Sequence, residues 1–175
     1  EYAQAETFFS SYLNSSDPDL RRECLYGLGR VYYFRHDCAK AMSFLNSAIA
    51  IKQNYQRSVR TDVARTIAGI HVYRAYMYNL SGSYDRAIFV LNKAIVDGLV
   101  ELNASSFIGA NIYSLIGESY LGLGNIKIAV RFLTKSCNMR FENDAVAASV
   151  RKISLIDLGK CCLLSGEYQK AAGNL

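Results

Sequence analysis

Residues 113–133 read Tyr-Ser-Leu-Ile-Gly-Glu-Ser-Tyr-Leu-Gly-Leu-Gly-Asn-Ile-Lys-Ile-Ala-Val-Arg-Phe-Leu, and this stretch decides the fold. Apolar and small residues recur at helical spacing on both sides of Gly124 and Asn125, which predicts two helices joined by a tight turn. Gly117 and Ala129 leave room for the helices to approach closely, and bulky neighbours such as Leu133 fill the remaining space. The stretch therefore predicts a helical hairpin.

The same arrangement occurs four times along the chain. The small residue of the first helix is Gly29, Ala75, Gly117 or Gly159, with a turn residue seven positions later and an alanine twelve positions later. The last two intervals between these markers are 42 residues each. Such internal repetition is typical of arrays in which each unit buries its apolar face against its neighbours. We therefore expect an all-α protein.

The order of large apolar residue, small residue, aromatic residue, turn and alanine resembles the tetratricopeptide repeat (TPR). This resemblance implies a TPR-like α-solenoid, a right-handed superhelical array of antiparallel helix pairs whose first helices line a concave groove. A unit of 42 residues is longer than the common unit of about 34, and we expect each helix to be longer by about one turn. Long repeats of this kind are similar to those of kinesin light chains, spindle-orientation adaptors and some bacterial signalling regulators.

We expect one TPR-like domain over residues 1–175. The expected divisions are the second helix of a truncated unit over 1–16, units over 17–54, 55–99 and 100–142, and an incomplete unit over 143–175. Aspartate followed by proline at Asp17 and Pro18 predicts a helix start. The first helix of the second full unit is predicted to begin between residues 55 and 59, and other first helices to begin near Asn103 and near Asn143 or Asp144.

Composition excludes several classes of protein. The chain has a net charge of +5 with 20% charged residues, and no apolar run approaches the roughly 20 residues that span a bilayer. The basic residues Lys52, Arg57, Arg60, Arg65 and Arg74 do not share one helical face, which disfavours nucleic-acid binding. We expect no membrane partner, and a cytoplasmic location with the nucleus as the alternative.

Nothing in the sequence has the spacing of a catalytic or metal site. The five cysteines lack zinc-ligand spacing and are predicted to be small apolar core residues in a reducing compartment. His36 is expected in an exposed turn and His71 in a packed position, and neither lies near a patterned nucleophile. Glu118 and Asp157 form no catalytic motif. We expect no enzymatic activity, no cofactor and no metal.

The resemblance implies a groove for another protein. Carried over position by position, its lining would be Tyr26, Arg30, Tyr33, Arg65, Val72, Tyr76, Asn79, Asn111, Ser114, Glu118, Asp157 and Lys160. Tyrosine and arginine often carry the binding energy of interfaces. The clamp by which chaperone adaptors of this family grip a carboxylate is absent, because its positions hold Tyr26, Arg30, Tyr73, Asn111 and Leu115.

The favoured function is a protein–protein interaction scaffold or adaptor, part of a larger protein or complex, that holds an extended or helical segment of its partner in the groove. The alternative is a ligand- or peptide-sensing domain of a signalling or transcriptional regulator, which the full-length sequence would reveal through an adjoining output domain. Either function is compatible with self-association, because Leu155, Leu163 and Leu164 are expected to lack a capping neighbour at the C-terminal end.

Overall fold

The computed structural model describes residues 1–51, 61–97, 107–139 and 144–167, and these ranges contain eight α-helices and no strand. The helices are α1 Tyr2–Ser11, α2 Pro18–Phe34, α3 Cys38–Ala50, α4 Thr61–Leu80, α5 Tyr84–Val96, α6 Phe107–Gly122, α7 Ile126–Cys137 and α8 Asp144–Leu164. The all-α prediction is confirmed. The predicted helix starts between residues 55 and 59, near Asn103 and at Asn143 lie outside the described residues, whereas α8 begins at the predicted alternative, Asp144.

Asp17 caps α2 as predicted, and Asn125 of the predicted turn caps α7. The Asp17 carboxylate accepts a hydrogen bond of 2.9 Å from the backbone N–H of Asp19, and Pro18 occupies the first helical position, where it needs no hydrogen-bond donor. Asn125 likewise accepts from the N–H of Ile128 at 3.3 Å. These caps satisfy N–H groups that the helices themselves leave unpaired.

Four tight turns join a first helix to the segment that follows it. Their central residues have positive φ: 60° at His36, 71° at Gly82, 74° at Gly124 and 79° at Gly166. Glycine adopts this left-handed conformation without steric cost, whereas a side chain disfavours it. His36 is thus the one position among these four where the sequence departs from the residue that the geometry favours.

Small residues set the distance between the helices of a pair. A Cβ on Gly29 would lie 2.7 Å from Cδ2 of Leu45, and one on Gly117 would lie 2.6 Å from Cγ of Leu133. Alanines on the second helices are fully buried at the matching places, namely Ala41, Ala87 and Ala129. The hairpins therefore form through the small residues that the sequence places at these offsets.

The first helices also pack against one another. α2 contacts α4, α4 contacts α6 and α6 contacts α8, whereas the second helices α3, α5 and α7 do not contact each other in the part of the chain described. The helices therefore converge on the side of the first helices and diverge on the opposite side. The result is a right-handed superhelical array of antiparallel helix pairs, with the first helices on the concave face.

The two classes of helix differ in length. The first helices α2, α4, α6 and α8 span 17, 20, 16 and 21 residues. The second helices α3, α5 and α7 span 13, 13 and 12 residues. Within the described ranges, the first helices are the long ones, so the expectation of an equal extension of both helices needs correction.

Both ends of the described array carry exposed apolar side chains. On α1, Phe8 is 59% exposed, although its neighbour Phe9 packs against Gly27 of α2. On α8, Leu163 and Leu164 are 47% and 66% exposed. Leu155, predicted to share that free face, instead packs against the core formed by α7 and α8.

The cysteines are only partly the core residues that the sequence predicts. All five thiols are free, and Cys24 and Cys161 are buried as expected. Cys38 is exposed because it begins α3 next to a turn. The prediction for Cys38 is therefore wrong, and Cys137 and Cys162 are half-buried.

Candidate partner-binding groove

Four tyrosines from two first helices form a continuous group of rings on the concave face. We call Tyr26 and Tyr33 of α2 and Tyr73 and Tyr76 of α4 the tyrosine cluster. Ring centroids are 5.9 Å apart for Tyr26 and Tyr73, 5.2 Å for Tyr33 and Tyr73, and 6.0 Å for Tyr33 and Tyr76. All four side chains are half-buried, so each packs between helices and still presents part of its surface to solvent.

Arg30 lies over this cluster. Its guanidinium carbon is 5.7 Å from the ring centroid of Tyr26 and 5.8 Å from that of Tyr73. These are cation–π distances, which hold a planar guanidinium over the rings without occupying its N–H donors. The residue is exposed. Among the described residues no carboxylate pairs with it.

Helical spacing explains why these side chains meet. Tyr26, Arg30 and Tyr33 are four and three positions apart on α2 and therefore share one face. On α4, Gly69 leaves the space that the Tyr26 hydroxyl occupies, since a Cβ there would lie 2.5 Å from that oxygen. The close approach of α2 and α4 at Gly69 thus brings the two halves of the cluster together.

Hydrogen bonds connect α4 to α6. The Tyr76 hydroxyl lies 3.3 Å from Oδ1 of Asn111, to which it donates. The Asn79 amide donates to the carbonyl of Leu115 at 3.5 Å, and its Oδ1 accepts from the Ser119 hydroxyl at 2.8 Å. Because buried polar groups are costly when unpaired, these bonds fix the spacing of the two helices.

The far side of the groove is acidic. Asp157 of α8 is 3% exposed, and its Oδ1 accepts a hydrogen bond of 2.7 Å from Nζ of Lys160. Burial and the charge of Asp157 raise the pKa of Glu118 on α6, while a hydrogen bond from Asn79 and the charge of Lys160 lower it. Lys160 is therefore the positive charge that acts on both carboxylates, Asp157 and Glu118.

The hydroxyls of Tyr26, Tyr33 and Tyr76 remain protonated at neutral pH. Burial is the main reason that the pKa values of Tyr26 and Tyr76 rise to about 12. Burial also raises the pKa of Tyr33. In both Tyr33 and Tyr76 the charge of Glu118 adds to the increase, which places that carboxylate near these rings. Tyr33 therefore keeps its O–H proton as a hydrogen-bond donor, whereas the O–H of Tyr76 already donates to Asn111.

The expected groove residues divide by exposure. Arg30, Arg65 and Lys160 are exposed, and Tyr26, Tyr33, Tyr76 and Glu118 are half-buried. Asn79, Asn111, Ser114 and Asp157 are 3–9% exposed and mainly connect helices. Val72 lies in the core with Leu91 and Ile116, so its predicted place in the groove is wrong.

Ser114 belongs to a junction of three helices. The Ser154 hydroxyl of α8 lies 3.0 Å from both the Ser114 hydroxyl of α6 and the Ser136 hydroxyl of α7. Ser136 in turn donates to the carbonyl of Ala110 at 3.0 Å. The side chain of Ser114 is therefore engaged inside the array.

Tyr73 is a central residue that sequence reasoning left out of the groove. It contacts three tyrosine rings and the Arg30 guanidinium. The available signal was its spacing of three from Tyr76, which puts both on one face of α4. His71, expected in a packed position, is 1% exposed, and His36 is exposed in its turn as expected.

In the four described ranges no three side chains of histidine, cysteine, aspartate or glutamate converge as metal ligands would. No helix in those ranges is both long and apolar enough to cross a bilayer.

Comparison with known proteins identifies the repeat. Residues 110–143 match the profile of the tetratricopeptide repeat family. The matched residues include most of α6 and all of α7. The resemblance to TPR proteins is thereby confirmed, while the 42-residue unit stays a prediction. No curated protein sequence matches the chain.

Several solved structures share the fold. BtubC from P. vanneervenii has a TM-score of 0.79 at 20% identity, covering 99% of this chain and 70% of its own. The apo form of RapI has a TM-score of 0.78 at 19% identity, covering 99% of this chain and 61% of RapI. A kinesin light chain of Podosopora anserina with nearly identical TPR-like repeats has a TM-score of 0.63 at 18% identity. The match covers 99% of this chain and 79% of the kinesin light chain structure. These likenesses concern the fold.

Proposed function

Because the chain contains a tetratricopeptide repeat and has the fold of TPR proteins, we propose that it is a protein–protein interaction scaffold that binds a partner segment on its concave face. The observation that carries this proposal is the tyrosine cluster with Arg30 stacked on it. Tyrosine and arginine combine apolar area with directional hydrogen bonding, which is why they dominate the energetics of interfaces.

The exposure of the cluster supports a binding role. A tyrosine needed only for packing between helices gains most from complete burial, yet all four rings keep part of their surface in solvent. Arg30 adds an exposed guanidinium that the rings already orient, so a ligand would lose little side-chain entropy by engaging it. A preformed surface of this kind suits an extended or helical protein segment.

The wider setting of the scaffold is part of the same proposal. We place it in a larger protein or complex, in the cytoplasm with the nucleus as the alternative. Its partner is a protein and not a membrane or a nucleic acid. The exposed Leu163 and Leu164 would serve self-association if a second copy covered them.

Affinity capture tests the proposal. The wild-type protein and the variant Tyr33→Ala/Arg65→Ala/Tyr76→Ala are used as baits in nuclease-treated lysate, and the bound proteins are quantified by mass spectrometry. A matched control, Phe8→Ala/Phe89→Ala/Arg131→Ala, removes two exposed aromatic residues and one exposed arginine from other surfaces. Circular dichroism verifies that all three baits are folded.

The expected result is a protein that the wild type and the control retain and the groove variant loses. Cross-linking of that protein should then join it to residues of α2 and α4. Equal retention by all three baits would contradict binding at the tyrosine cluster, and retention by none would contradict the scaffold itself.

A further inference from the structure

The groove has a basic end. At α2 the Arg30 guanidinium is held over Tyr26 and Tyr73, it is exposed, and no described carboxylate pairs with it. Glu23, the acidic residue nearest in the chain on that face, is 2.5 Å from the Thr66 hydroxyl, from which it accepts a hydrogen bond. An oriented guanidinium with free N–H donors is suited to a carboxylate, which it can bind through two parallel hydrogen bonds.

The opposite end of the groove is acidic. Glu118 lies on α6 and Asp157 on α8, two helices that contact each other, and burial together with the charge of Asp157 raises the pKa of Glu118. The side chain of Lys160 is 58% exposed and forms an ion pair with Asp157. The three groups together carry one net negative charge, and Glu118 is half-buried. A cation bound beside Glu118 would offset the electrostatic cost of that burial.

The tyrosine cluster lies between the two ends. Arg30 contacts the rings of Tyr26 and Tyr73, whereas the charge of Glu118 acts on Tyr33 and Tyr76. The Tyr76 hydroxyl also donates to Asn111 of α6, so the four rings lie between Arg30 on α2 and the helix that carries Glu118. Because packed helices are about 8–10 Å apart, the distance from α2 to α6 is about 20 Å, which an extended chain covers in about six residues.

We propose that the groove binds a protein segment with one acidic and one basic side chain in a fixed order, the carboxylate at Arg30 and the cation at the half-buried Glu118. This inference rests on the proposed scaffold function and specifies the chemistry of the partner. Apolar or aromatic groups between the two charges would cover the tyrosine cluster. A segment of reversed charge order would place like charges together at both ends.

Charge complementarity is the reason for this choice of occupant. A uniformly acidic segment would place a negative charge beside Glu118, and a uniformly basic one would place a positive charge beside Arg30, so each would have one repulsive contact. A segment with opposite charges at its two ends satisfies both. The cation would also lie near the faces of Tyr33 and Tyr76, where cation–π attraction adds to the interaction with the carboxylates.

A displayed library of random dodecapeptides tests the inference directly. The purified protein is used to select peptides, in parallel with Arg30→Glu, Glu118→Gln and two matched controls, Arg131→Glu on α7 and Asp85→Asn on α5, both exposed and outside the groove. Circular dichroism verifies the fold of each variant. The affinity of the most enriched peptide is then measured by calorimetry.

The wild type and both controls should enrich peptides in which one acidic and one basic residue recur in the same order. Arg30→Glu should lower the affinity for the selected peptide by about tenfold or more. Changing the acidic residue of the peptide to lysine should restore the affinity for this variant. Glu118→Gln should remove the preference for the basic residue and leave the acidic preference in place.

Two outcomes would overturn the inference in distinguishable ways. Peptides that depend on the tyrosine cluster but show no charge preference would contradict the two-ended groove while leaving the scaffold intact. If the variant Tyr33→Ala/Arg65→Ala/Tyr76→Ala enriches the same peptides as the wild type, or if no peptide is enriched at all, both the scaffold and the inference are contradicted.

Discussion

Leu133 occupies the space in which a side chain on Gly117 would lie, with its Cγ 2.6 Å from the position of a Cβ there. The backbone nitrogen of Leu133 is 3.2 Å from the same position, so the leucine has little room to move away. This contact joins α6 to α7 at the centre of the stretch that matches the tetratricopeptide repeat. The pair therefore decides how closely this hairpin closes.

Gly117→Ala should lower the free energy of unfolding by about 1–3 kcal/mol, because overpacking displaces Leu133. Leu133→Ala should lower it by about 2–5 kcal/mol through the cavity it leaves. The double variant should be more stable than the sum of the two effects predicts, since the new methyl group enters the cavity. Urea denaturation measures all three, and strictly additive losses would contradict the contact.

His36→Gly should raise the free energy of unfolding by about 0.5–1 kcal/mol. His36 is exposed and has a φ of 60°, so glycine removes the strain of a left-handed side chain without loss of packing. Gly124→Ala is the reciprocal variant, with a φ of 74° and no atom within 4 Å of the new Cβ. It should destabilise by about 1 kcal/mol, and thermal unfolding that shifts in the same direction for both variants would refute this explanation.

His71 should make the protein less stable in mild acid. Burial is the main reason that its pKa falls to about 4, with the positive charge of Arg74 next, and its Nδ1 has no hydrogen-bond partner. The unfolded chain binds the proton near pH 6.5 and the folded chain does not, so stability present above pH 6.5 is lost as pH falls from 6.5 towards 4. The loss from this residue is about 3 kcal/mol.

The slope of stability against pH checks this assignment. His71→Leu should make the free energy of unfolding depend less on pH between pH 6.5 and 4 than it does in the wild type. Both profiles come from urea titrations at fixed ionic strength. An unchanged slope in the His71 variant would assign the acid sensitivity to other groups.

Tyr73 should matter for binding through its ring and not through its hydroxyl. Tyr73→Phe keeps the surface on which Arg30 stacks and should retain the affinity of a captured partner or selected peptide. Tyr73→Ala removes that support and three ring contacts, and should weaken binding by about tenfold or more. Calorimetry at equal protein stability distinguishes the two, and equal affinities would argue that Tyr73 serves packing alone.

The fold was predictable because its geometry demands particular residue types. A left-handed turn favours glycine, as at Gly82 and Gly124, and close helices need small residues, as at Gly117 and Ala129. These requirements are local and recur at fixed offsets. The single sequence therefore carried enough information to predict the hairpins and their array.

The burial of the candidate groove residues was predictable only in part because it depends on neighbouring units. Helical spacing correctly put Tyr26, Arg30 and Tyr33 on one face of α2. The burial of the Asn79 side chain depends on how closely α6 approaches α4. Ser119 permits this close approach because it is small and donates a hydrogen bond to Asn79. No offset within one repeat encodes that distance.

The contact of first helices with each other, and the separation of second helices, also determines how the array deforms. When one helix pair rotates relative to the next, the inner contacts act as the pivot and the outer helices have free space before they meet. A small rotation at each junction adds along the chain, so the ends move farther than any neighbouring pair. We therefore expect the array to be elastic, so that its curvature could adjust to the length of a bound segment.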